Sequence, residues 1–235
     1  MWDELFSQLP RELNLPAGSK PLFSAYYKRL VKGNRKTNLT GIVEPSQVLF
    51  KHFFDSLAVL RWNPSLTGPL LDVGSGAGLP GIPLKIARPE LQVQLLDSAQ
   101  KRVDFLRTIA SQLCLSGLSV LHGRAEDLAR QAGNRDHFPL VVSRALARLP
   151  VLLELCLPFV RPGGRFVAYK GPEAAQELSE AGRALQELGA VLEEVFPYSL
   201  PAGCGERSLL IFVKVAETPA KFPRRAGIPE KRPLL

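Results

Sequence analysis

Residues 70–84 read LLDVGSGAGLPGIPL. A short apolar run carries Asp72 near its end, glycines follow on alternate positions at Gly74, Gly76 and Gly78, and LPGIPLKIA can then begin a helix. The pattern predicts a strand, a glycine turn and a helix start. Alternate glycines permit positive φ and let a ligand approach the backbone more closely than any Cβ allows, while the helix behind offers unpaired N–H groups. Such a turn seats a cofactor. Dinucleotide spacing, with glycines at the first, third and sixth positions, fits poorly. Counted from Gly74 the sixth residue is Leu79; counted from Gly76 the third is Gly78 and the sixth Gly81, inside a Pro-containing run.

The D-x-G-x-G-x-G spacing, with Asp72 two residues before Gly74, instead resembles motif I of class I S-adenosylmethionine-dependent methyltransferases. That cofactor has an amino-acid part and no pyrophosphate, so a carboxylate near the turn can help orient it. Both kinds of fold want an acid at the end of the second strand, roughly 20 residues on, to accept from ribose hydroxyls. VQLLDSAQKR places Asp97 there, after the apolar run Val93 to Leu96. Read by itself, Asp97 also suits a helix N-cap.

From Pro69 onward, strand candidates alternate with helical patterns. The strands are Leu70 to Val73, Val93 to Leu96, Leu118 to Leu121, Leu140 to Val142, Arg165 to Tyr169, Val191 to Val195 and Leu209 to Val215, with helices at Gln100 to Leu113 and Arg148 to Phe159. This predicts a seven-stranded α/β sheet, mainly parallel and covered on both faces. The last two strands have no helix between them and should pair as a hairpin, which leaves one strand antiparallel. Ligands of open α/β sheets lie beyond the carboxyl ends of the strands. HGRAEDL after the third strand places Ala125 and Glu126 there, and SRALARLP after the fourth places Arg144. Arg144 either meets the ligand or pairs with an acid such as Glu126 or Asp97. RPGG at 161–164 reads as a turn into the fifth strand.

Before the sheet, residues 2–9 and 19–32 read as short amphipathic helices, GNRKTNLTGI as a polar loop carrying Arg35 and Lys36, and Pro45 to Trp62 as a helix with His52 and Asp55 at its border. Residues 1–66 are expected as a small N-terminal helical cap, 67–216 as the methyltransferase domain, and 217–235 as an extended, Pro-rich basic tail, all within a single compact unit.

The 235 residues are 46% hydrophobic and carry a net charge of +8, enough chain for one large domain with a small appendage. Residues 20–51 hold seven Lys/Arg against one acid, and 214–235 hold six against two. Positive charge in these two segments, against a remainder of net −2, points to a polyanionic partner. MWDELFSQLP is no secretory signal. The longest apolar stretch, Val151 to Val160, is broken by Glu154 and Pro158 and too short for a bilayer. No membrane contact is expected, and a cytoplasmic location is. Cys114, Cys156 and Cys204 lack metal spacing, so neither a metal nor a disulfide is expected.

These pieces together resemble the bacterial GidB (RsmG) family of 16S ribosomal RNA guanine-N7 methyltransferases. The stretches that carry the resemblance include NLTGI at 38–42, HFFDSL at 52–57, GLPGIPL at 78–84, LLDSAQKRVDFL at 95–106, RAEDL at 124–128, VVSRALARL at 141–149 and KFPRRAGIPEKRPL at 221–234. The resemblance implies S-adenosyl-L-methionine as cofactor, with contacts from Gly74, Leu79, Asp97, Ser98, Ala99, Ala125, Glu126 and Arg144, and 16S ribosomal RNA or the small ribosomal subunit as partner. Asp72 and Gly76 join the cofactor set from the turn pattern. Arg35, Lys36, His52, Arg224, Arg225, Lys231 and Arg232 are the candidate RNA contacts. N7 already presents a lone pair, so no catalytic base is assigned, consistent with the absence of an N-P-P-Y loop. The competing readings are a methyltransferase of small molecules or proteins, and a non-catalytic RNA-binding or ribosome-assembly protein.

Overall fold

The computed structural model describes residues 2–235. Its helices before the sheet are α1 (Trp2–Phe6), α2 (Ser19–Thr37), α3 (Pro45–Val48) and α4 (Asp55–Trp62), with a π-helical stretch, Leu49–Phe54, joining α3 to α4 without a break. The sheet comprises β1 (Leu70–Val73), β2 (Val93–Asp97), β3 (Leu118–His122), β4 (Phe138–Arg144), β5 (Val160–Lys170), β6 (Ala190–Ser199) and β7 (Glu206–Lys214). Between strands run α5 (Gly81–Ala87), α6 (Gln100–Gln112), α7 (Ala125–Leu128), α8 (Leu149–Cys156), α9 (Ala174–Ser179) and α10 (Gly182–Leu188); α11 (Ile228–Lys231) lies near the C-terminus.

Strand order is β3-β2-β1-β4-β5-β7-β6. The first five pair in parallel and β7 runs antiparallel to both β5 and β6, so the expected hairpin and single antiparallel strand are present. Each strand candidate falls on a strand, most within longer runs; only Val215 lies beyond the end of its strand, β7. The RPGG turn falls inside β5 as an irregularity: the register passes from Phe138↔Val160 to Leu140↔Arg165.

Each sheet face has its own apolar core. On one face, Phe23, Tyr26 and Leu30 of α2 and Phe53 and Leu57 of the joined helix pack with Leu84, Val93 and Leu106. Fully burying one such Phe contributes about 1.5–3 kcal/mol, and the helices before the sheet share this apolar core with it. On the other face, α8 and α10 pack with Phe222 and Leu234 from the C-terminal segment. That segment, expected to be an extended arm, is a docked strap containing the short α11.

The polar loop expected from residue 33 onward is different as well. α2 continues to Thr37 and ends on Asn38 in the left-handed conformation, a common helix terminator. Gly33 is a close-packing residue rather than a turn residue: a Cβ there would lie 2.6 Å from the Phe105 ring of α6. Asn34 then pins NLT by exchanging two 2.8 Å hydrogen bonds with the Thr40 backbone. Arg35 and Lys36 therefore sit in a helix's last turn, where cations also complement the helix dipole. Among the described residues no helix is long and apolar enough to cross a membrane.

Candidate active site

β1 delivers the chain into the glycine turn at the carboxyl ends of the strands. The N–H groups of Gly74 and Ser75 donate to the Leu96 carbonyl at 2.8 and 3.0 Å, and Gly74, Gly76 and Gly78 all have positive φ. Tyr26 of α2 donates its hydroxyl to the Ala77 carbonyl at 2.7 Å, so the N-terminal layer holds this turn from below. Asp97 holds it from β2: Oδ2 accepts from the Gly76 N–H and Oδ1 from the Ala99 N–H, both at 2.9 Å. A carboxylate offers about four lone-pair sites. Two backbone bonds therefore leave Asp97 able to accept from a diol.

A cavity of about 500 Å³ opens over this turn, within the range of ligand sites. Gly74, Asp97, Ser98, Ala125 and Glu126 are in its wall. Gly76 and Ala99 serve it through the N–H groups that fix Asp97, while Leu79 is packed in the apolar core. Asp72 is placed differently from its expectation. It is fully buried beneath the turn, Oδ2 accepts from the Gly81 N–H at 2.9 Å, and Oδ1 has no hydrogen-bond partner. Burial pushes its carboxyl up to about 7 against the lowering effect of the Gly81 bond. Asp72 thus joins the turn to the start of α5 and stands outside the cavity wall.

Arg144, at the end of β4, faces a second cavity of about 510 Å³ that shares Leu146, Ala147 and Arg148 with the first. Its acid partner is neither Glu126 nor Asp97. The guanidinium donates to Asp55 Oδ2 at 2.7 Å and to the Lys51 carbonyl at 3.0 Å; Asp55 Oδ1 accepts from the Tyr198 hydroxyl at 2.6 Å. One buried carboxylate thus ties β4 and β6 to the helical layer. His52, also buried, has Nε2 at 2.8 Å from Thr40 Oγ1. Burial first, and the nearby Arg144 charge second, press its pKa down to about 4, so the ring is neutral at pH 7. The two cavities meet at Leu146, which covers Gly74 so closely that a Cβ on that glycine would lie 2.7 Å from its Cδ1.

The remaining candidates divide between the two flanks of this site. Lys28, Lys32, Arg35 and Lys36 are exposed at helical spacing along α2, which leads through Thr40 to His52. On the strap, Arg225, Lys231 and Arg232 are exposed, but Arg224 is committed. Its backbone N–H and Nε donate to Glu154 Oε1 at 2.8 and 2.9 Å, and Glu154 is fully buried.

The model of the GidB family, rRNA small subunit methyltransferase G, matches residues 19–202. The chain belongs to this family. It is 45% identical over 235 residues to ribosomal RNA small subunit methyltransferase G of Desulfitobacterium hafniense, covering 99% of this chain and 98% of that one. The identity to the protein of the same name from Lachnoclostridium phytofermentans is 49% over 214 residues, covering 91% and 88%. Similar solved structures include a Haloferax volcanii methyltransferase complex with the Trm112 activator (TM-score 0.55, 17% identity, 80% of this chain and 98% of that one). Another is a ribosomal protein L11 methylase from Lactobacillus delbrueckii (TM-score 0.51, 15% identity, 71% and 79%). Those two likenesses support the class I methyltransferase fold.

Sequence reasoning missed Asp55 as the partner of Arg144, Tyr198 as its second contact, and the strap as part of the first cavity. One signal was present. Glu154 interrupts the longest apolar run, and an acid in a buried helix calls for a cation.

Proposed function

We propose that the chain transfers a methyl group from S-adenosylmethionine to N7 of a guanine in 16S ribosomal RNA. The supporting observation is the join of two unlike cavities at Leu146: one suited to a nucleoside, the other carrying Lys51, Arg144, Arg148, Lys170 and Arg207 in its wall. The first cavity fits the cofactor by the chemistry of its donors and acceptors. Asp97 retains acceptor capacity for ribose hydroxyls, and Ala125 with the neighbouring apolar wall suits a purine.

When bound, the cofactor would supply an electrophilic methyl carbon on a sulfonium, open to in-line attack by the N7 lone pair as the carbon–sulfur bond breaks and the neutral thioether leaves. The chain's own work is placement, which can lower a barrier by about 7–11 kcal/mol in favourable cases. Asp97 positions the ribose and holds the turn. Asp55, itself held by the Tyr198 hydroxyl, fixes Arg144 in the wall of the second cavity, and neutral His52 adds no charge beside a guanine that becomes cationic on methylation. No side chain removes a proton. The α2 cations and the exposed strap cations hold phosphates on either side.

The test incubates the protein with tritiated S-adenosylmethionine and unmodified small-subunit RNA or particles, then identifies the labelled nucleoside. Label in 7-methylguanosine supports the reading; label in another nucleoside rejects the position, and label only in protein rejects the substrate class. Asp97→Ala should weaken S-adenosylhomocysteine binding at least tenfold in calorimetry while the fold persists. Unchanged affinity would remove Asp97 from the ribose site.

A further inference from the structure

The C-terminal segment reaches the first cavity by a series of anchors. Arg130 donates to the Pro223 carbonyl and Arg135 to the Thr218 and Phe222 carbonyls. Phe222 enters the core, Arg224 meets buried Glu154, and the Gly227 N–H then donates to Glu126 Oε1 at 3.0 Å. From that point the chain runs along the cavity. Gly227, Pro229, Glu230, Pro233 and Leu235 form part of the same wall system as Asp97, Gly123 and Ala125. Pro229 and Leu234 are buried, while Arg225, Lys231 and Arg232 point their charge into solvent.

We infer that residues 227–235 are a cofactor-binding element, closing the purine end of the S-adenosylmethionine site. The inference rests on the proposed reading of that cavity. Its chemistry follows from what lines this end. Pro150, Val151 and Leu155 of the α8 region face it from one side, and Pro229 and Pro233 from the strap. Two prolines supply apolar surface with no N–H to leave unsatisfied on burial, which suits the face of a purine. Glu126 links the two halves, since its Oε1 takes the strap's Gly227 N–H while the residue itself lines the cavity. Glu126, expected as a cofactor contact, thus also latches the strap, and a bound purine bridges both.

The experiment uses the full chain with S-adenosylhomocysteine as probe, read by hydrogen exchange and calorimetry. The expected result is exchange slowed severalfold at the strap's non-proline amides from Gly227 to Leu235, together with those near Asp97. Binding that protects the Asp97 region but leaves strap exchange unchanged overturns the inference while sparing the proposed function. Faster strap exchange on binding also overturns it, showing a plug that the ligand displaces. Absence of binding in calorimetry rejects the cofactor reading and this inference with it. A chain ending at Ala226 retains the Phe222 and Arg224 anchors. It should bind S-adenosylhomocysteine at least tenfold more weakly with its far-ultraviolet spectrum unchanged; full affinity would overturn the inference. Should that chain fail to fold, Pro229→Ser in the full chain, expected to weaken binding about threefold, decides the same point.

Discussion

The helices before the sheet and the strap after it both carry excess positive charge, yet they hold it differently. On α2, buried Phe23, Tyr26 and Leu30 anchor one face and Lys28, Lys32, Arg35 and Lys36 occupy the other. The helix is secured by apolar burial and its cations are left at the surface. The strap buries only a few apolar residues, among them Phe222, Pro229 and Leu234, and adds charge to its attachment. Lys214, the last residue of β7, pairs with Asp136 at 3.0 Å just before the strap, and within it Lys221 pairs with Glu187 at 2.8 Å and Arg224 pairs with Glu154. Local charge density therefore says little about where a polyanion lies until the ion pairs are known.

The largest expected effect breaks the strap's side of this contrast. Glu154→Ala would strand Arg224 against an apolar wall. Loss of one partner from a buried pair costs about 3–5 kcal/mol, and Arg224 keeps some solvent contact, so the lower end applies in urea denaturation. Lys28→Ala with Lys32→Ala should change stability by less than about 0.5 kcal/mol. Equal, small costs for both variants would mean that the strap is held no more firmly than surface charge.

Acidity offers a sharper probe of the N-terminal layer. His52 has its folded pKa lowered to about 4 by burial and by Arg144, so its stabilising contribution is complete above its ordinary value near 6.5 and is lost as pH falls toward 4. Asp72 has the opposite sign. Its folded pKa is raised by burial to about 7, so its contribution is complete below the ordinary 3.8 and is lost as pH rises through 7. Between pH 4.5 and 6.5 the two slopes oppose each other. His52→Gln should leave a stability that falls with rising pH, and Asp72→Asn one that rises, each by about 2 kcal/mol across the window. Parallel slopes in the two variants would show that neither group titrates as its burial requires.

What was legible in the sequence follows the range of the interactions involved. β1, the glycine turn and Asp97 were readable because strand period, turn glycines and the strand-end acid all lie within 28 residues of one another. The strap was not. Phe222 and Leu234 are isolated apolar residues without a period, and Arg224 finds its partner 70 positions away. The same holds for Asp55, whose contacts Arg144 and Tyr198 are 89 and 143 residues distant. Arg35 and Lys36 fall in a stretch, GNRKTNLTGI, that reads as a polar loop, whereas its Gly33 lies within a helix and admits the Phe105 ring. A packing constraint from another helix carries no local signal.

The smallest effect separates the flanks as RNA contacts. Each phosphate contact removed should lower the slope of log affinity against log salt by about 0.7 on single strands and 0.9 on duplex. Replacing Lys28, Lys32, Arg35 and Lys36 by Ala should therefore reduce the slope by about three if all four reach phosphates, and replacing Arg225, Lys231 and Arg232 by about two. Arg224→Ala should cost stability and leave the slope alone, since its charge is already met by Glu154. A slope that drops for the α2 set but not for the exposed strap set would place the RNA on the helical flank only. The strap's cations would then be solvated charge, and its part in the site would be the inward one, toward the cofactor. A slope that drops for Arg224→Ala as much as for the exposed three would instead mean that RNA pulls the guanidinium from Glu154, and the strap would have to loosen as the substrate binds.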